Sequence, residues 1–226
     1  MPRQTHVPRE ADRLAREVAH LIAKNPGDRS VLRHSLGRPP EDVAMGVHRI
    51  LAPLLPRNFK AAEERAYYAV AALIASQDRQ ARDQASTENA PRAGDATPQA
   101  SATATEPSED GPPARSNLGY SLAQLAHKSD RDRSKTLGDR LELLARQDID
   151  GLYRQLPRLI LQVRADQVRI DWGVLAHDLT RWADDPRQVA KEWAQDYYRT
   201  SERLLAAKKR KADQAANGTD NQEIQS

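Results

Sequence analysis

A long segment with no large apolar side chain divides this chain into two parts. Residues 76–117 include no Val, Ile, Leu, Met, Phe, Trp or Tyr, so these 42 residues cannot contribute large side chains to a hydrophobic core. From residue 86 onward the segment is rich in Pro, Ser, Thr, Ala and Gly, which is typical of a disordered linker. We therefore predict an N-terminal domain over residues 1–85, a linker over 86–117, a C-terminal domain over 118–207 and a disordered polar tail over 208–226.

Both predicted domains show helical periodicity. Leu14 and Val18 belong to an i, i+4, i+7 pattern in the first domain, and Leu137 and Leu141 belong to a similar pattern in the second. No segment shows the sustained alternation of apolar and polar residues that a half-buried strand requires. We predict an all-α chain made of two small helical bundles, joined by a long flexible linker that leaves their relative orientation open.

Several residues have a functional and a structural interpretation, and the structural one is favoured. Trp172, Trp182 and Trp193 are in phase with neighbouring leucines, so we predict core packing rather than stacking on nucleic-acid bases. The pairs Asp148 and Asp150, and Asp184 and Asp185, stand at or just before predicted helix starts, so we expect them to cap helices rather than to bind a divalent cation. Asp171 is predicted to cap the helix that follows it.

Motifs for catalysis are missing from the sequence. The chain has no cysteine, which excludes thiolate nucleophiles and thiolate metal ligands. Its 6 histidines form no HExxH motif, and the sequence contains neither a phosphate-cradling glycine loop nor a GxSxG motif. We predict that the chain is not an enzyme and that it binds no cofactor and no metal.

The sequence also bears on location. The longest apolar run, residues 69–75, is far shorter than the roughly 20 residues that cross a bilayer. The N-terminal residues lack the apolar core of a secretory signal. We predict a cytoplasmic protein without a membrane segment.

The basic residues are more informative by position than by number. The formal net charge is only +3, but residues 86–117 contribute −3, so the remainder of the chain carries +6. The candidate phosphate-binding residues are Arg29, Arg33, Lys128, Arg131, Arg133, Lys135, Arg140, Arg146 and Arg158. The first two are spaced i, i+4 and are expected to project together from one face of a short helix. Arg140 and Arg146 are equally compatible with structural pairing to Glu142 or Asp150. The residues alone favour a solvated, ion-paired surface over a nucleic-acid site.

Five short motifs nevertheless occur in the order of a known family. The segment Gly27–His34 resembles a G-x-R-A-x-L-R-R motif, residues 121–122 open a matching region, and Arg140–Asp148 resembles R-L-x-x-L-L-x-A-D. Ile170–Trp172 resembles V-D-W, and Trp193–Tyr198 resembles W-A-x-D-Y-Y. Together these motifs resemble CasB, the small subunit of the type I-E CRISPR Cascade surveillance complex.

The resemblance implies a non-catalytic subunit of a ribonucleoprotein. Its expected partners are the other Cascade subunits, a second copy of the chain in a head-to-tail dimer, the guide RNA, and target double-stranded DNA with its displaced strand. The implied role is to stabilise the R-loop, in which base pairing determines sequence specificity and protein holds the backbones. The basic residues named above are then the expected contacts.

Two alternatives remain open at this stage. One is a helical adaptor that binds only protein and whose arginines are solvated. The other is a DNA-binding regulator, which would require an exposed recognition helix.

Overall fold

The computed structural model describes residues 9–78, 115–128 and 133–223. Over these residues the chain forms helices and no strand, which confirms the all-α prediction. The helices are α1 (Arg9–Lys24), α2 (Pro26–His34), a 3₁₀ turn (Pro40–Asp42), α3 (Met45–Leu51), α4 (Ala61–Ser76), α5 (Leu118–His127), α6 (Ser134–Ala145), α7 (Ile149–Ala165), α8 (Trp172–Asp184) and α9 (Pro186–Glu223).

Local side-chain hydrogen bonds fix where three of the helices begin. The Asn117 side chain accepts from the Tyr120 amide at 3.1 Å at the start of α5. Asp148 accepts from the Gly151 amide at 2.7 Å and so caps α7. The cap of α8 is Asp171, described below. These carboxylates and amides satisfy backbone N–H groups that have no partner inside the helix. The predicted capping role of Asp148 is confirmed.

The two halves of the chain share one hydrophobic core. Helix α4 packs against α1 and α2 from its own half and against α8 from the other half, while α9 packs against α5, α6 and α8. Trp172, Trp182 and Trp193 are 5%, 1% and 0% exposed, so the prediction that they are core residues is confirmed. The two halves do not form separate bundles with an open orientation, because the apolar faces of α4 and α8 are buried against each other.

Arg115 forms hydrogen bonds with both halves of the chain. Its Nη1 and Nη2 donate to the Asp12 carboxylate on α1 at 2.9 and 2.8 Å. Its Nε and Nη2 donate to the Asp171 carboxylate at 2.7 and 2.8 Å. Asp171 also accepts from the Val174 amide at 3.0 Å, which confirms the predicted cap of α8. Arg115 lies in the segment predicted as linker; residues 115–117 belong instead to the folded body, and residues 79–114 lie outside the described residues.

Substitution of Arg115 by alanine is expected to lower the free energy of unfolding by about 2 kcal/mol, because two half-buried carboxylates lose a charged partner. Arg115→Lys should recover only part of this loss, since an ammonium group cannot bind both carboxylates in the planar fork geometry. Urea unfolding monitored by tryptophan fluorescence measures both variants. Equal stability of wild type and Arg115→Ala would contradict the role given to this residue.

The last helix differs most from prediction. Helix α9 continues to Glu223 and therefore covers most of the segment predicted as a disordered tail, residues 208–226. The side chains from Lys208 to Gln214 are all exposed, so packing does not hold this part of the helix. Residues 208–216 consist mostly of Ala, Lys, Arg and Gln, which have high helix propensity, and extending an existing helix avoids the cost of nucleation.

Candidate nucleic-acid interface

Neither a metal cluster nor a membrane helix is found within the described ranges. No three His, Cys, Asp or Glu side chains there come together in a way that could hold a metal ion. None of the helices there has the length and apolar character needed to span a bilayer.

The structure separates Arg29 from Arg33. Arg29 is half-buried and its Nε and Nη2 donate to the backbone oxygens of Ala75 and Gln77 at 3.1 and 2.9 Å. These carbonyl groups lie at the C-terminal end of α4, where no further helical turn supplies donors. Arg33, one turn later on α2, is exposed. The expectation that both side chains project together is wrong, because Arg29 turns toward α4.

Two of the basic residues between α5 and α6 are held by Asp166. The Lys128 ammonium donates to the backbone oxygen of Asp166, and Arg133 Nη1 lies 3.0 Å from the Asp166 carboxylate. Lys135, in the first turn of α6, is exposed. Arg131 lies outside the described residues.

The outer face of α6 carries charges of both signs. Lys135 and Arg146 are exposed there, but Asp139 and Glu142 share this face at helical spacing. Arg140 lies to the side and donates to the Gln162 side chain on α7. The suggested pairing of Arg140 or Arg146 with Asp150 is not found, because Asp150 accepts instead from Arg65 Nη2 at 2.6 Å.

After its first turn, where Asp150 pairs with Arg65, the outer face of α7 carries positive charge and no acidic residue. Arg154 and Arg158 are exposed and spaced i, i+4, and Gln162, which binds Arg140, follows at the same spacing. We call Arg140, Arg154 and Arg158 the α7 row, because Arg140, although it belongs to α6, is held beside α7 by its hydrogen bond to Gln162. At a rise of 1.5 Å per residue, the positions from 154 to 162 span about 12 Å. No acidic residue occurs from Arg154 to Ala165. Arg154 was not among the predicted contacts, although its spacing from Arg158 was visible in the sequence.

Comparison with known proteins identifies the family. The sequence model of the CRISPR-associated protein Cse2 matches residues 28–198. This chain belongs to the Cse2 family. Membership confirms the resemblance noted from the sequence motifs, since the matched region begins in α2 and ends in α9.

Several solved structures resemble this Cse2-family chain. A chain from a structure titled "CRISPR RNA-guided surveillance complex, pre-nicking" is 42% identical, with a TM-score of 0.71 and coverage of 88% of this chain and 97% of that one. A second surveillance-complex chain is also 42% identical, with a TM-score of 0.70 and coverage of 88% and 96%. CasB from M. ruber, at 24% identity, TM-score 0.61 and coverage of 86% and 97%, supports the fold alone. A search of curated protein sequences gave no match.

Most apolar residues of the five sequence motifs lie in the hydrophobic core. Leu32 in the first motif and Trp193 in the last are both 0% exposed, and Leu141 in the middle motif is 3% exposed. Asp171 of the fourth motif caps α8 and binds Arg115. Most apolar residues of these motifs therefore build the core, whereas three of their arginines, Arg33, Arg140 and Arg146, are exposed.

Proposed function

We propose that this chain is a non-catalytic small subunit of a type I-E CRISPR Cascade ribonucleoprotein. It binds nucleic-acid backbones through its basic surface and stabilises the R-loop, including the guide RNA–target DNA hybrid and the displaced strand. The observation that carries the proposal is the 42% identity to chains of CRISPR RNA-guided surveillance complexes over 88% of this chain. The exposed guanidinium groups of the α7 row are the proposed phosphate-binding groups.

The proposed role needs only a few cations. R-loop formation exchanges one duplex for a hybrid of similar stability, so a small number of backbone contacts shifts the balance. Arginine contacts to phosphate carry no sequence information, which suits a subunit that must serve many guides. Each phosphate neutralised also releases condensed counterions and makes binding dependent on salt.

The structure suggests different roles for the predicted contact residues. The exposed candidates are Arg33, Lys135, Arg140, Arg146, Arg154 and Arg158. Lys128 and Arg133 can present only the donors that Asp166 leaves unused. Arg29 acts through the end of α4 and positions α2, which carries Arg33. Arg131 remains a candidate contact from its sequence position.

A salt titration tests the surface. In a variant with Gln at Lys135 and at the three arginines of the α7 row (Arg140, Arg154 and Arg158), called the α7-row variant, we expect the slope of log K against log salt to flatten by roughly 3 units for single-stranded DNA, since four phosphate contacts are lost. Fluorescence anisotropy with a labelled strand of mixed sequence measures the slope. The matched control carries Gln at four other exposed basic positions, Arg9, Lys24, Arg38 and Arg57, and should keep the wild-type slope. Equal flattening in both variants would mean that net charge, not this surface, governs binding.

The proposed partners require a separate test. Co-purification of the tagged chain from its host at moderate salt should recover the other Cascade subunits, a second copy of the chain and RNA of one uniform length. Recovery of protein partners without any RNA would contradict the proposal and favour the helical adaptor.

A further inference from the structure

The C-terminal part of α9 leaves the hydrophobic core and becomes strongly basic. Thr200 and Ser201 are still buried, but every side chain from Lys208 to Gln214 is exposed. Residues 199–211 contain six basic residues and one acidic residue, Glu202, which gives a net charge of +5. The net charge of the whole chain is only +3, so the net charge of this segment exceeds that of the entire protein.

Helical spacing orders part of this charge into a line. Arg199, Arg203 and Arg210 are separated by four and seven residues and so lie on one side of α9. The rise of the helix puts them about 6 and 10 Å apart along its axis. None of the three forms an ion pair with another residue in the described part of the chain. Lys209 and Lys211 add exposed charge beside this line.

The basic segment begins close to the proposed interface. The Tyr197 hydroxyl donates to the backbone oxygen of Ser134, the first residue of α6. A Cβ added at Gly138, one turn later, would lie 3.6 Å from the Tyr197 ring. Helix α9 therefore crosses the first turn of α6, which carries Lys135, just before Arg199. A bound strand that passes α6 can continue along α9.

The composition of the segment argues against a lipid surface. Membrane-binding helices combine a basic face with a broad apolar face rich in Trp, Phe and Leu. Residues 199–211 contain only Leu204 and Leu205 as large apolar residues, and Leu204 is already half-buried. Charge without an apolar face suits a phosphate backbone in water.

We propose that residues 199–211 of α9 form a second nucleic-acid site, which binds the phosphate backbone without base preference. The ligand class rests on the proposed function, but the site is separate from the α7 row. It lies wholly beyond residues 28–198, the region that the family model matches. With this site, the basic surface on which a nucleic-acid strand can lie extends from the α7 row and Lys135 to the C-terminal part of α9.

Glutamine substitution of Lys208, Lys209, Arg210 and Lys211 tests the site in the full-length protein. Glutamine has a helix propensity close to that of Lys and Arg, so α9 should keep its helicity in circular dichroism. For single-stranded DNA of mixed sequence, the slope of log K against log salt should flatten by roughly 3 units. A second variant with Arg at positions 208, 209 and 211 keeps the charge and should keep the wild-type slope.

The control and the α7-row variant separate this inference from the proposed function. The Gln variant at Arg9, Lys24, Arg38 and Arg57 removes the same charge elsewhere and should not change the slope. An unchanged slope in the α9 variant, with a flattened slope in the α7-row variant, would overturn the α9 site and leave the proposed function intact. Unchanged slopes in both would overturn both. Binding of the wild type to anionic vesicles but not to DNA would also overturn the site.

Discussion

Gly119→Ala is expected to lower the free energy of unfolding by about 3 kcal/mol, at the upper end of the usual cost of overpacking. A Cβ atom at this position would lie 1.8 Å from the Trp193 carbonyl oxygen and 2.7 Å from its carbonyl carbon. These are backbone atoms of α9, so the clash cannot be relieved by a side-chain rotation. Helices α5 and α9 must move apart and open the core around Trp193.

Gly138→Ala provides the matched control. Gly138 is also buried inside a helix, but an added Cβ would meet side-chain atoms of Tyr197 and Tyr198 at 3.6–3.9 Å, which is ordinary contact. Without a clash, the better helix propensity of alanine should stabilise the protein by up to about 1 kcal/mol. Urea unfolding at neutral pH measures both variants. If Gly119→Ala proves as stable as Gly138→Ala, the close approach of α5 to the α9 backbone is refuted.

Asp178→Asn is expected to stabilise the protein at pH 8 but not at pH 4. Asp178 is 2% exposed, and its Oδ2 accepts from Trp193 Nε1 at 2.7 Å. Burial raises the pKa of Asp178 to about 7, against the weaker opposing effects of the Trp193 hydrogen bond and Arg181. The unfolded chain therefore ionises this carboxyl group at lower pH than the folded protein does.

The sign of the pH dependence follows from linkage. Between pH 4 and pH 7 the folded state binds more protons than the unfolded state at Asp178, so this group lowers stability as pH rises. A shift from 3.8 to about 7 corresponds to about 4 kcal/mol at most. Asparagine still accepts the Trp193 hydrogen bond and has no buried charge to desolvate. It loses the ion pair with Arg181, whose Nη1 lies 3.7 Å from Asp178 Oδ1.

Urea unfolding across this pH range measures the difference between Asp178→Asn and wild type. We expect the relative stability of the variant to increase from pH 4 to pH 7 and to level off above it. A difference that stays constant with pH would show that Asp178 does not titrate in this window.

The helical class was predictable because it depends on local information. Leucines at three- and four-residue spacing, proline and asparagine between segments, and aspartates at helix starts are all visible in the sequence. Asp148 and Asp171 cap helices as expected. These signals act within a few residues, so they remain valid wherever the helices pack.

The association of the two halves was not predictable in this way. Arg115 stands in a segment without large apolar residues, and its partners Asp12 and Asp171 are 103 and 56 residues away in sequence. Nothing in the local composition distinguishes such an arginine from one in a linker. The same limit applies to α4, whose nearly continuous apolar sequence shows burial but not which helices cover it.

The candidate interface was predictable only in part. The helical periodicity shows that an arginine lies on the helix face away from the core. It does not show whether a neighbouring helix offers that arginine a hydrogen-bond acceptor. Arg29 donates to the backbone carbonyl groups at the end of α4, whereas Arg33 on the same helix is exposed to solvent. The charge of residues 208–211 was apparent in the sequence, but its display on a continuous helix was not, because polar composition resembles that of a disordered tail.

The shared core also changes what the connection between α4 and α5 has to do. Helix α4 packs against α1, α2 and α8, and Arg115, just after the connection, binds Asp12 and Asp171. These noncovalent contacts define the arrangement of the two halves without the covalent connection through residues 79–114. Closing a connection between two fixed ends costs about 0.6 kcal/mol more for each doubling of its length. We therefore expect insertions between positions 79 and 114 to change the free energy of unfolding little, and two fragments cut there to reassemble in a concentration-dependent way.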